Sequence, residues 1–123
     1  MNKELIKELS DAGITFSEEN IVFIAKDATG QIVWLENGSD QAGLTHIINR
    51  HMDDFVNAIG LTKEALPKFL EDVVTKGDVI SNTLTKAQTG YTRIYDYDGN
   101  YYTVTGIGTN GFIVTAYPTP KEV

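Results

Sequence analysis

Two histidines, His46 and His51, and two arginines, Arg50 and Arg93, are the side chains best suited to chemistry at neutral pH, and three of the four fall within GLTHIINRH (43–51). Imidazole ordinarily titrates near neutrality, so it can both take and give a proton. A guanidinium stays charged and presents a fork of donors to phosphate or carboxylate. On a helix His46 and Arg50 share a face, whereas the two histidines point about 140° apart. That spacing is poor for a shared metal ion, which favours histidines three or four residues apart. With no cysteine and only Asp53 and Asp54 nearby, neither a metal nor a cofactor is expected. The same residues also suit plainer roles. His51 borders an apolar stripe beside Ile48 and Phe55 and fits the edge of a core. His46 fits a solvated helix start, and Arg50 a surface partner for Asp53 or Asp54.

A second group lies in residues 91–117, which have strand composition broken at YDG (97–99) and TNG (109–111). Both triplets end in glycine after Asp or Asn, as a three-residue loop with a final positive φ requires. Such loops pair Tyr95 with Tyr101, Arg93 with Thr103, Thr105 with Thr115, and Thr103 with Tyr117. One face of this meander is then Ile94, Tyr102, Val104, Phe112, Val114 and Ala116, a core face. The other carries Arg93, Tyr95, Tyr101, Thr103, Thr105, Ile113, Thr115 and Tyr117. That face is a candidate binding platform: tyrosines stack bases, hydroxyls bond phosphate or 2′-OH, and Arg93 supplies a cation. Thr and Tyr also favour strands for their own sake, and Arg93 suits an ordinary cross-strand partner.

The elements that must position these groups follow from periodicity. Leu5, Ile6 and Leu9 before Gly13 predict a short amphipathic helix over 3–12. IVFIAKD (21–27) and QIVWLE (31–36) flank an Ala-Thr-Gly turn and predict a hairpin. Leu44, Ile48, Met52, Phe55 and Ile59 form the stripe of a one-sided helix closed by Gly60. Thr62 suits the N-cap of a second helix, with Leu66, Phe69, Leu70, Val73 and Val74 on its apolar side, Pro67 early within it and Gly77 past its end. Residues 78–90 read as a loop holding one short strand at most. Helices and strands are segregated along the chain. The expected fold is therefore α+β: N-terminal helices on one face of a twisted antiparallel sheet ending in a three-stranded meander.

At 123 residues the chain has room for one core, so 1–123 is expected to be a single domain. No apolar run approaches the length of a membrane span, and the charged start lacks a signal peptide's apolar stretch. The absence of cysteine excludes thiolate chemistry and fits a reducing cytoplasm. GxSxG, GxxxxGK[ST] and a helix-opening GxGxxG are all missing. The net charge of −7 is the wrong sign for nonspecific nucleic-acid binding. It is uneven, however: residues 1–40 carry eight acids and three bases, whereas 79–117 carry two of each.

The hairpin leading into GLTHIINRH, the helix ending at Gly77, the arginine-bearing strand and the closing GFIVTAYP (111–118) together resemble the phage-borne members of the barnase–EndoU–colicin–RelE-like nuclease superfamily, over roughly residues 20–118. The resemblance implies an α+β fold and metal-independent endoribonuclease activity, in which the RNA 2′-OH attacks its own phosphate. Its helix motif falls on His46, Arg50 and His51 and its last-strand motif on Thr115 and Tyr117, with Arg93 as the basic residue of the preceding strand. The histidines would then serve as base and acid, the arginines as phosphate clamps, and Thr115 and Tyr117 as positioning hydroxyls. Tyr95, Tyr101, Thr103 and Thr105 would contact RNA. The family implies a prophage toxin or effector, acting in the cytoplasm or delivered as a secreted or injected protein, with an inhibitor or immunity partner. Two features depart from it: the family's nucleases are often basic, and its toxin members usually follow a delivery region, of which none is expected here. The acidic charge motivates an alternative, a non-catalytic binding module on a nuclease-like scaffold that recognises a basic partner.

Overall fold

The computed structural model describes residues 2–84, 90–108 and 111–120. Helix α1 spans Lys3–Asp11 and is capped by Asn2, whose Oδ1 accepts the N–H groups of Glu4 and Leu5 at 3.1 and 3.2 Å. This meets two of the donors a helix start leaves unpaired. A single 3₁₀ turn at Glu18–Asn20 leads into β1 (Ile21–Lys26), which pairs antiparallel with β2 (Ile32–Glu36). The Asp27 carboxylate organises the turn between them, accepting from the Thr29 N–H, the Thr29 hydroxyl and the Gln31 N–H at 2.8, 2.6 and 3.0 Å.

Helix α2 (Leu44–Ile59) ends on Gly60 at φ 66°, a left-handed stop that glycine supplies without strain. Helix α3 (Leu66–Lys76) begins later than the Thr62 cap implies. Thr62 instead caps the preceding turn, its Oγ1 accepting the Ala65 N–H at 3.2 Å, and Pro67 sits in the first turn, where it has no hydrogen bond to break. Strands β3 (Asp78–Leu84), β4 (Gly90–Tyr97), β5 (Asn100–Gly108) and β6 (Thr115–Thr119) form an antiparallel sheet in chain order.

The fold is α+β, and two features of the sheet differ from expectation. Residues 78–84 make a seven-residue edge strand, more than the one short strand at most expected within a loop over 78–90. All its side chains are exposed or half-buried, so it shows no apolar alternation and is specified by pairing with β4. The β4–β5 hairpin also turns on two residues, not three: Asp98 at φ 52° and Gly99 at φ 84°. Asp tolerates the left-handed region well enough for both central positions of a primed turn. The register therefore slips by one, pairing Tyr95 with Tyr102 and Arg93 with Val104. Arg93 and Tyr95 consequently join the core face, and Ile94 moves to the other face opposite Thr103. The β5–β6 pairing is the expected one, Thr105 with Thr115 and Thr103 with Tyr117.

Most of the expected TNG turn lies outside the described residues. Its Gly111 is described and opens a crossover between the sheets. Trp34 donates its N–H to Gly111 and accepts that of Ile113, at 3.1 and 3.0 Å, so this segment runs parallel to β2 before becoming β6. A side chain at position 111 would meet the Ile32 carbonyl at 2.0 Å, so only glycine fits. Because the segment lies between two sheets, both its faces are covered. Phe112 packs with Trp34, Leu5, Leu9 and Ile24 in a small core. Ile113, expected on the polar face, is buried in the main core with Phe23, Leu35, Ile47, Phe55, Leu70 and Tyr102.

Candidate active site

Helix α2 lies along β6, the edge strand of the larger sheet. Its start is anchored by Gly43, whose N–H donates to the Val114 carbonyl at 2.8 Å and whose φ of 89° and ψ of −163° are accessible only to glycine. A Cβ there would stand 2.7 Å from the Glu36 carbonyl. The join of loop 37–43 to α2 is thereby held against both sheets.

On this anchored helix the two imidazoles meet. The ring centroids of His46 and His51 are 5.8 Å apart in an edge-to-face arrangement, and the His51 ring lies 5.0 Å from that of Tyr117 on β6. Wheel geometry alone sets the histidines apart. They converge because a helical side chain leans back over the preceding turn and because His46 is pulled into position by the loop before the helix. His46 Nδ1 stands 2.8 Å from the Asp40 carbonyl oxygen. A carbonyl only accepts, so Nδ1 carries the proton and, in the neutral ring, Nε2 is the free acceptor. His51 Nδ1 faces Asp54 Oδ2 at 3.3 Å and stays partly exposed.

Asp40, which sequence reasoning missed, ties these groups together. Its carboxylate accepts from Asn49 Nδ2 at 3.1 Å and pairs with Arg50 Nη2 at 3.5 Å. Arg50 therefore pairs with Asp40 rather than the expected Asp53 or Asp54. The hydrogen bond from Asn49, and then the Arg50 charge, hold the Asp40 carboxyl below the usual carboxylate range. The partnership spans a loop-to-helix separation of nine or ten residues and carries no local spacing signal. Only the pairing of Asn37-Gly38 turn chemistry with a following polar run could have pointed to it.

The sheet contributes unevenly. Tyr117 meets His51 directly. Thr115, next but one on β6, has a buried hydroxyl with no hydrogen-bond partner among the described residues. Thr105, Tyr101 and Thr103 share that face of the sheet, with Thr103 buried and its hydroxyl bonded to that of Thr119. Tyr95 does not join them. It is 0% exposed, with its phenol pushed up by burial, and offers no face for stacking. Arg93 is likewise committed elsewhere: its guanidinium is buried, paired with Asp27, and bonded to Gln31 Oε1 at 2.8 Å and Asn82 Oδ1 at 3.3 Å. The one-residue register slip is what sends both side chains inward.

The chemistry this arrangement offers is proton transfer by two adjacent imidazoles beside an exposed guanidinium. Among the described residues no three His, Asp or Glu side chains cluster as metal ligands would, and no helix is long and apolar enough to cross a membrane. No curated protein matches the chain. Residues 15–123, however, match the family PBECR1, described as phage-Barnase-EndoU-ColicinE5/D-RelE like nuclease1, which takes in both helices' junctions, the paired histidines and the whole of the larger sheet; the chain belongs to this nuclease family.

Proposed function

We propose that the protein is a metal-independent endoribonuclease that cleaves by transphosphorylation, with His46 as base and His51 as acid. The observation that carries this reading is the approach of the two rings to 5.8 Å while one nitrogen of His46 is fixed by a backbone carbonyl. His46 Nε2 takes the proton of the ribose 2′-OH, and the 2′-oxygen bonds to phosphorus as the bond from phosphorus to the 5′-oxygen breaks. His51, able to pair with Asp54 while it carries the proton, delivers that proton from Nε2 to the departing 5′-oxygen. Arg50 is 59% exposed along its side chain and stabilises the charge gathered on the phosphate. Tyr117 holds the His51 ring, and Tyr101 and Thr105 extend the contact surface along β5. Arg93 and Tyr95 serve from inside the core by holding the sheet in shape. We infer a cytoplasmic site of action, where RNA substrates are met, and a role as a phage-borne toxin or effector.

Incubating the folded protein with mixed tRNA and mRNA in EDTA tests this. The expected products carry 2′,3′-cyclic phosphate ends. His46→Ala and His51→Ala should each slow cleavage by about 10²–10⁴-fold without moving the unfolding transition. RNA that stays intact through prolonged incubation overturns the proposal. The net charge of −7 favours one other reading, a catalytically silent module that captures a basic protein. Under that reading the His51→Ala protein retains every property of the wild type.

A further inference from the structure

On the side of the molecule built from β1, a strand edge is left open among the described residues. Trp34, the cross-strand neighbour of Ile24, donates its N–H to the Gly111 carbonyl and accepts the Ile113 N–H on its own carbonyl. The pair Ile24↔Trp34 is therefore of the non-hydrogen-bonded kind, and the N–H and C=O of Ile24 point away from β2. Asp27 donates its N–H to the Gln31 carbonyl at 2.8 Å, which puts Lys26 in the same phase as Ile24. Among the described residues no strand pairs with that edge.

The open edge is the floor of a groove of about 740 Å³. One wall is α1, whose Leu5 and Leu9 pack on Ile21 and Ile24. The other is α3, whose Leu70, Val73 and Val74 pack with Phe23. Both walls carry acids towards the groove: Glu4 and Glu8, one helical turn apart on α1, and Glu71 on α3, against Lys26 as the single base among the lining residues. Natural proteins usually cover, shorten or load such an edge with charge so that nothing pairs with it. Here the helices flank the edge and leave its backbone groups facing a cleft whose walls carry three acids.

We propose that this groove binds an extended, lysine- or arginine-rich segment of a partner protein, which adds to β1 as a further strand. Main-chain hydrogen bonds to Ile24 and Lys26 would supply the register, and Glu4, Glu8 and Glu71 would select for basic side chains. The proposal does not depend on cleavage of RNA, since none of these residues belongs to the histidine site.

The test uses fluorescence anisotropy of a labelled hexapeptide with lysine at alternate positions and valine between, titrated with the intact protein. Binding is expected, weakening by at least about tenfold in the double variant Glu4→Gln/Glu8→Gln, whose side chains are exposed and whose fold is checked by its unfolding transition. The same peptide N-methylated at alternate residues should bind at least about tenfold more weakly, because it cannot donate to the edge. Amide NMR shifts on binding should centre on Ile24 and Lys26. Failure of the lysine peptide to bind overturns the proposal. So does equal binding of the N-methylated or a glutamate-substituted peptide, or occupation of the edge by a second copy of the chain, seen as peptide-independent self-association in sedimentation.

Discussion

Asp40 illustrates how a single carboxylate can organise a site it does not chemically serve. Its backbone carbonyl sets the tautomer of His46 while its side chain holds Asn49 and Arg50. Because the folded-state carboxyl titrates below its ordinary value, the clasp it makes is complete above the usual carboxylate range and is lost only as the pH falls through the depressed value. Across neutral and mildly acidic pH it contributes no pH dependence. The expected outcome is that the Asn49 side-chain amide resonances stay constant from pH 7 down to about pH 4 and shift only below it. A transition centred at or above the ordinary carboxylate value would contradict the clasp. Asp40→Ala should slow cleavage while leaving His46 on its backbone carbonyl, whereas Asp40→Asn, which keeps a side-chain oxygen to accept from Asn49, should retain more activity.

At the scale of elements, the site depends on how α2 is entered. Gly43 and Gly60 bound the same helix but differ in surroundings: a Cβ at 43 would meet the Glu36 carbonyl at 2.7 Å, and one at 60 meets nothing within 4 Å. Gly60→Ala therefore carries only left-handed strain, about 1–2 kcal/mol. Gly43→Ala adds a backbone clash to a conformation that itself costs about 1–3 kcal/mol for other residues, and it should shift the His46 ring. Urea denaturation of the two variants, with cleavage assays, should show the larger loss of both stability and activity for Gly43→Ala. Equal losses would mean that loop 37–43 does not position the helix. The helices and the first hairpin were legible in the sequence because burial periodicity and glycine stops are local signals. The β4–β5 register was not. YDG supports a two- or a three-residue turn, and the choice rests on whether Asp98 accepts φ 52°, which strand pairing on either side decides. Strand β3 was hidden for a related reason: an edge with mostly exposed side chains leaves no alternation to read.

Across the whole molecule, two sheets and two cores have to be joined. The final segment does so along the backbone, pairing with Trp34 before joining β5. Arg93 does so through side chains, reaching from β4 to Asp27 and Gln31 at the tip of the first hairpin and to Asn82 on β3. Arg93→Met would leave the Asp27 carboxylate buried without its cation, an expected loss of about 3–5 kcal/mol measurable as a lower denaturation midpoint. Arg50→Met, which removes an exposed pair, should leave the midpoint nearly unchanged and act on cleavage instead. If the effects are reversed, the assignment of Arg93 to the scaffold and Arg50 to the site is wrong. The charge imbalance of the N-terminal third also acquires a location at this scale, since Glu4 and Glu8, joined by Glu71 of α3, line the open edge of β1.

Local order along the chain sets the α+β class, the helices and their glycine stops, the placement of His46, Arg50 and His51 on one helix, and the kinship carried by that motif and the closing strand. These depend on the order of side chains over a few residues, where helical and strand periods decide which groups face the same way. Tertiary structure alone decided that Arg93 and Tyr95 turn inward, that Asp40 folds back over the start of α2, and that the two imidazoles lean together beside Tyr117. None of those outcomes is encoded by a helical or strand period: they rest on strand register, on a loop folded back onto a helix and on the approach of β6, and a one-residue change of register, which costs little locally, exchanges the two faces of a strand.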